Sequence, residues 1–150
     1  MTTPLETLQA DLKEALKARD ADRLSTLRLL LTAVKNEEIE KGEALDQDTF
    51  LKVVQRAIKQ RKDSVAQYKK GGRDELAAQE ESEIEILATY LPAQASEEDI
   101  RAAVEAIIAE KNLSGPQAMG AVMGAVMAQL GASADGGTVS RIARQVLMPS

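Results

Sequence analysis

The sequence predicts an all-α fold, with an N-terminal antiparallel four-helix bundle and a small three-helix C-terminal domain. Three observations support this prediction. The strong helix formers Ala, Leu, Glu, Lys and Gln dominate the 150 residues, whereas aromatic residues, which favour strands, make up only 2%. Apolar residues recur every three or four positions, as on one face of a helix. Capping residues and glycines separate these segments by short connections, which favour antiparallel packing of neighbouring helices.

The first two helices are predicted from their start signals and apolar spacing. Thr3 caps the first helix, and Pro4 suits its first position. Asp20 or Asp22 caps the second helix, and Gly42 is placed to end it. The apolar face of the first helix is predicted to comprise Leu5, Leu8, Leu12 and Leu16. That of the second is predicted to comprise Leu24, Leu27, Leu31 and Val34.

Two further helices complete the predicted N-terminal domain, residues 1–91. The third begins at Asp46 or Asp48 and reaches the Gly71-Gly72 pair. The fourth runs from about Asp74 to Tyr90, and Pro92 ends it. Its inward residues are predicted to be Leu76, Ile84, Leu87 and Leu91.

The predicted C-terminal domain, residues 92–150, holds three helices. Ser96 with Asp99 begins the fifth, and Ser114-Gly115-Pro116 begins the sixth. A turn over 131–137 precedes the seventh helix. The expected core of the fifth helix is Ile100, Val104, Ile107 and Ile108.

Residue types that are absent exclude several kinds of site. There is no His and no Cys, so Ser-His and Cys-His nucleophiles, Cys/His zinc sites and disulfides are excluded. Glu83 and Glu85 fail as an acid–base pair, because residues two apart on a helix point to different faces. An enzyme built on carboxylates, Lys or Ser alone is the alternative left open, but we expect no catalytic residues, no cofactor and no metal. The sequence has no signal-peptide pattern and no apolar run of membrane-spanning length, so no membrane association and a cytoplasmic location are predicted.

Charge is strongly segregated along the chain. Residues 51–73 carry 8 basic and 1 acidic side chains, whereas residues 74–110 carry 1 basic and 11 acidic side chains. On a helical wheel the basic side chains lie opposite the apolar ones and form a surface that we call the basic ridge, suited to following a phosphate backbone. The ridge comprises Lys52, Arg56, Lys59, Lys62, Lys69, Lys70 and Arg73. The alternatives are an ordinary solvated face and neutralisation by the acidic fourth helix.

Three other cations have separate interpretations. Arg28 and Lys35 share one face of the second helix, so they either extend the basic surface or are simply solvated. Arg61 lies among the apolar residues of the third helix, where burying an unpaired guanidinium is costly. Glu38 or Glu85 is its expected ion-pair partner.

The C-terminal domain offers two further candidate sites. Gly136 and Gly137 precede a helix start, and their free N–H groups with Arg141 suit a phosphate; the alternative is only a turn and a cap. The segment from Leu113 to Ala134 carries no charge. Its helix is either core or a partner-binding surface, since a helix that is apolar all round is usually buried or at an interface.

Five short motifs, in this order, resemble the YqeY proteins. They are Lys35-Asn36-Glu37, Gln60-Arg61-Lys62-Asp63-Ser64, Tyr90-Leu91-Pro92, Met119-Gly120-Ala121-Val122-Met123 and Ala134-Asp135-Gly136. The resemblance covers essentially the whole chain. It implies the GatB/YqeY fold, which also forms the tail of the GatB subunit of the tRNA-dependent amidotransferase and occurs appended to some glutaminyl-tRNA synthetases.

That resemblance implies tRNA as the partner, and an aminoacyl-tRNA synthetase or the amidotransferase as a second one. The family's carbon–nitrogen ligase label, with glutamine as amide donor, is not expected to describe catalysis by this chain, because no ATP- or metal-binding motif is present. The leading hypothesis is an accessory tRNA-binding module that recognises RNA shape. The alternative is an adaptor that docks on a synthetase or amidotransferase through the uncharged sixth helix.

Overall fold

A computed structural model describes residues 2–149, and in that range every regular element is helical. The all-α prediction is confirmed. The chain forms two compact units that divide between Leu91 and Pro92. The first contains the helices α1 (Pro4–Lys17), α2 (Ala21–Lys41), α3 (Gln47–Lys70) and α4 (Asp74–Ala88). The second contains α5 (Glu97–Lys111), α6 (Met119–Leu130) and α7 (Gly136–Leu147).

The helix ends follow the local signals of the sequence. The Thr3 hydroxyl accepts from the Glu6 N–H at 3.1 Å, and the Asp20 carboxylate accepts from the Arg23 N–H at 3.2 Å. Ser96 and Asp99 form the reciprocal hydrogen bonds of a capping box. Gly42 ends α2 in the left-handed conformation, with φ of 74°, which glycine adopts without steric cost.

The first unit packs α3 against α4, α1 against α2, and α2 against both α3 and α4. Buried residues from all four helices form its core, among them Leu8, Leu27, Leu30, Val54 and Leu87. At one side Phe50 meets Tyr90 edge to face, with ring centroids 5.8 Å apart. The Tyr90 hydroxyl donates to the Asp11 carboxylate at 2.6 Å, tying the chain after α4 to α1. Burial and this carboxylate raise the pKa of the Tyr90 hydroxyl.

Two predicted inward positions are wrong. Leu16 is 58% exposed and Leu76 is 41% exposed, whereas the adjacent Ala15 and Ala77 are buried. On α2 the predicted Leu31 packs partly buried against the core, and Leu30, which was not predicted, is buried there as well. Each helix buries a narrower stripe than its apolar pattern offers, because neighbouring helices cover only part of its surface.

The second unit has its own core, to which α5, α6 and α7 all contribute. Ile100, Val104 and Ile107 are buried as predicted, and Ile108 lies partly buried beside them. The predicted turn over 131–137 is shorter than expected. A single 3-10 turn covers Gly131–Ser133, and α7 begins at Gly136 because the carboxylate of Asp135 caps it.

Candidate nucleic-acid interface

The basic ridge lies on the solvent-exposed side of α3, except for Arg73, which follows the end of that helix. Phe50, Val54 and Ile58 point from the opposite side of this helix into the core of the first unit. All seven basic side chains of the ridge are exposed. The sequence pattern therefore correctly separated the two faces of the helix.

Acidic neighbours neutralise only part of the ridge. Arg56 Nη1 lies 3.7 Å from Glu37 Oε2 of α2, and Lys69 Nζ lies 2.9 Å from Glu81 Oε1 of α4. Within residues 2–149, the other five ridge residues form no ion pair; they are Lys52, Lys59, Lys62, Lys70 and Arg73. Three of them, Lys52, Lys59 and Lys62, lie in the middle of α3, and we call these three the free lysines.

Arg61 is held inside the first unit. Its Nε donates to Glu83 Oε2 at 3.1 Å and its Nη1 donates to the carbonyl of Ala57 at 3.1 Å. The side chains of Arg61 and Glu83 are 14% and 15% exposed. The internal ion pair is confirmed, but both predicted partners are wrong, since Glu38 instead accepts from the Leu45 N–H and Glu85 is exposed.

Glu80, one helical turn before Glu83, belongs to the same polar cluster. Partial burial, followed by the charge of Glu83, raises the pKa of the Glu80 carboxyl, and the nearby Arg61 opposes this shift. The cluster brings two carboxylates beside one guanidinium. The Arg61–Glu83 ion pair within it joins α3 to α4.

Arg28 and Lys35 do not extend the ridge. Both are exposed, but Lys35 lines a depression with Leu5 of α1 and Ile39 of α2. Glu37, which faces α3, is two residues further along α2 and so points about 200° away from Lys35. Arg28 is seven residues before Lys35 and shares its face. This placement favours the alternative that the two cations are simply solvated.

The predicted phosphate site in the second unit is already occupied by protein groups. The Asp135 carboxylate accepts from the N–H and the hydroxyl of Thr138, each at 3.0 Å, so negative charge lies where an anion must bind. Arg141 forms an ion pair with Glu97 of α5. Gly136 and Gly137 lie in the first turn of α7 rather than in a loop ahead of it. These contacts favour the alternative of a turn and a cap.

The uncharged helix α6 has two different sides. Val122 and Val126 are buried in the second core, and Met123 packs partly against it. Gly120 and Gly124 lie on the exposed side, where an added Cβ would meet no atom within 4 Å. The core interpretation therefore describes one side, and the other side is open.

Sequence reasoning missed a polar groove between α2 and α3. We call it the α2–α3 groove; it has a volume of about 280 Å³, and its walls include Ala33, Asn36, Glu37, Arg56, Ala57 and Gln60. A second depression shares Ala33, Ala57 and Gln60 and extends the groove to Leu87 of α4. One feature of the sequence could have indicated this groove. Asn36-Glu37 and Gln60-Arg61 belong to two of the motifs on which the resemblance to the YqeY proteins rests.

The fold and this surface define a small all-α protein that displays cationic side chains along the exposed side of one helix, α3. None of the helices within residues 2–149 combines the length and the apolar composition required to cross a membrane. The chain belongs to the Yqey-like protein family, whose model matches residues 5–147.

Curated relatives were found in several yeasts. "Altered inheritance of mitochondria protein 41, mitochondrial" of Lachancea thermotolerans is 41% identical over 112 residues, or 73% of this chain and 60% of that protein. The protein of the same name in Kluyveromyces lactis is 39% identical over the same shares. That of Saccharomyces cerevisiae is 35% identical over 91 residues, or 60% of this chain and 49% of that protein. The chain thus spans about half to three fifths of the length of these relatives.

These names bear on the predicted location. The cytoplasmic prediction rested on the absence of a leader pattern and of membrane-spanning segments. It is contradicted, because the relatives in Lachancea thermotolerans and Saccharomyces cerevisiae are named as mitochondrial proteins.

Proposed function

We propose that this chain is an accessory RNA-binding module whose ligand is tRNA. The observation that carries the proposal is the set of three free lysines, Lys52, Lys59 and Lys62, exposed on one helix and without ion-pair partners in the described chain. A lysine that already pairs with a carboxylate must lose that contact before it binds a phosphate. The free lysines avoid this loss.

Their spacing suits contact with more than one phosphate. At about 1.5 Å per residue, Lys52 and Lys59 lie about 10 Å apart along the axis of α3, and Lys62 follows about 4.5 Å beyond Lys59. Long flexible lysine stems can adapt this row to the phosphates of a folded RNA. Arg56 and Lys69 add positive charge at positions where a carboxylate competes. Such binding depends on charge and shape rather than on base sequence.

The choice of tRNA, rather than RNA in general, is supported by the resemblance to the tail domain of the amidotransferase subunit. In this proposal the chain holds tRNA and a separate enzyme, an aminoacyl-tRNA synthetase or an amidotransferase, acts on it. The names of the curated relatives extend the proposal to mitochondrial tRNA.

The proposal is tested by titrating the purified chain with total tRNA and with a generic RNA duplex at two salt concentrations. The expected result is binding that favours tRNA and weakens as salt rises, because phosphate contacts release bound counterions. No binding at low salt would contradict the proposal.

A second candidate function is a protein-docking adaptor that uses the open side of α6. The observation that favours it is the exposed, uncharged backbone at Gly120 and Gly124, which allows another helix to approach closely. It predicts that Ala121→Glu, also on the exposed side, abolishes binding to a purified synthetase or amidotransferase in the absence of tRNA. Exposed Ala102→Glu on α5 is the matched control and leaves binding intact.

A further inference from the structure

We infer that the α2–α3 groove binds one unpaired nucleobase of the RNA whose phosphates lie on the basic ridge. The inference rests on the proposed function and adds a second kind of contact to it. Arg56 belongs to both surfaces, since it is part of the ridge and also lines the groove. An RNA strand held by the ridge therefore passes the mouth of the groove.

The charges of the groove select against a phosphate. Arg56 and Arg61 line its two connected depressions together with Glu37 and Glu40. Glu83 already pairs with Arg61, and Glu37 lies beside Arg56, so these groups together with Glu40 carry no net positive charge to attract an anion. A neutral polar group fits this balance better than a phosphate or a carboxylate.

The polar groups of the groove match the edge of a base. Asn36 and Gln60 line the groove, are exposed, and make no side-chain hydrogen bond within the described chain, so their amide donors and acceptors are available to a ligand. The Glu37 carboxylate, whose side chain is 20% exposed, accepts from an exocyclic amine or a ring N–H. Amides and carboxylates are the side chains that read base edges.

The faces of the base have partners as well. Ala33 and Ala57 supply small apolar walls that leave room between α2 and α3. Arg56 lies 3.7 Å from Glu37, longer than the about 2.7–2.9 Å of a tight charge-assisted hydrogen bond, and its side chain is 61% exposed. Its guanidinium plane is thus free to stack on a base, which is how arginine contacts unpaired bases in RNA. The groove has a volume of about 280 Å³, which leaves room for one base.

The inference is tested with two hairpin RNAs that carry the same single-stranded 3′ tail, one with normal bases and one with abasic tail nucleotides. We expect the full chain to bind the tail with bases about tenfold more tightly. Gln60→Leu and Asn36→Leu are expected to remove this preference and to leave binding of the abasic RNA unchanged. Gln67→Leu, an exposed glutamine two turns further along the same face of α3, is the matched control and keeps the preference.

Three outcomes overturn the inference, and they are distinguishable. Equal, salt-sensitive binding of the two RNAs by the unmodified chain shows that the ridge binds RNA but the groove holds no base. A preference that survives in both groove variants places base recognition elsewhere. Binding of neither hairpin by a chain that still binds total tRNA contradicts this inference alone, whereas binding of neither the hairpins nor total tRNA at low salt contradicts the proposed function as well. Thermal melts of each variant confirm that the comparison is between folded proteins.

Discussion

Arg61 and Glu83 form an ion pair between α3 and α4, with Nε and Oε2 3.1 Å apart and both side chains largely withdrawn from solvent. A second hydrogen bond from the same guanidinium reaches the Ala57 carbonyl. The pair fixes which turn of α4 lies beside which turn of α3. It thereby orients the opposite side of α3, on which the free lysines stand.

The Arg61–Glu83 pair should show energetic coupling: the double variant should lose less unfolding free energy than the two single variants lose together. We expect Glu83→Leu to lower the free energy of unfolding by about 2–3 kcal/mol, because it leaves the largely buried Arg61 guanidinium without its charge partner. The double variant Arg61→Met/Glu83→Leu should lose clearly less than the sum of the two single variants. Urea unfolding of the unmodified chain, the two single variants and the double variant gives the coupling energy, which is the difference between the loss in the double variant and the sum of the two single losses.

The exposed pair Lys69 and Glu81 is the matched control, since it joins the same two helices at the surface. Its coupling should stay below about 1 kcal/mol. Equal couplings for the two pairs would show that the burial of Arg61 has no energetic consequence.

Leu87 and Leu76 should respond very differently to truncation, although the sequence pattern treats them alike. Leu87→Ala removes a fully buried side chain of α4 and should destabilise the protein by about 2–5 kcal/mol. Leu76→Ala should change the free energy of unfolding by less than about 1 kcal/mol, because Leu76 is exposed. A comparable loss at Leu76 would mean that another surface covers this residue in solution.

Glu80 should make stability depend on pH. Its pKa is raised in the folded chain, so the folded state binds more protons than the unfolded state between the usual pKa of 4.5 and the raised one. Stability therefore falls as pH rises through that window, and the loss persists at neutral pH. Glu80→Gln should raise the melting temperature at pH 7 and change it less at pH 4. A gain of equal size at both pH values would contradict this assignment; exposed Glu85→Gln is the control.

The open side of α6 predicts a stabilising substitution. Gly124→Ala should raise the free energy of unfolding by about 0.5–1 kcal/mol, because alanine is the better helix former and its Cβ meets nothing within 4 Å. Gly115→Ala should destabilise, since Gly115 has φ of 80° and its added Cβ would lie 2.8 Å from Gln117 Oε1. Chemical denaturation compares the two. Destabilisation by Gly124→Ala would show that this side of α6 is covered in solution.

The sequence predicted local features better than contacts between helices. The caps at Thr3 and Ser96 follow from hydrogen bonds within one turn, so residue order predicted them, and at the second helix it left only the choice between Asp20 and Asp22. The two faces of α3 follow from periodicity within a single helix.

Features that depend on the register between helices were not predictable. Glu83 rather than Glu85 reaches Arg61, because the choice depends on how far α4 is shifted along α3. The α2–α3 groove could not be predicted from the sequence either, because Asn36 and Gln60 come to line the same groove only when the two helices pack together. Partial neutralisation of the ridge, at Arg56 and Lys69 but not at the free lysines, has the same origin.

The most direct test of the central claim is the slope of the logarithm of the tRNA binding constant against the logarithm of salt concentration. We predict that Lys59→Glu/Lys62→Glu weakens binding strongly and makes the slope shallower by about 1–2 units, since each lost phosphate contact removes about 0.7–0.9. Lys13→Glu/Lys17→Glu, which changes two exposed lysines of α1 and alters net charge equally, should retain most of the slope. Equal slopes and affinities for the ridge variant and the unmodified chain would contradict the claim that the free lysines bind RNA.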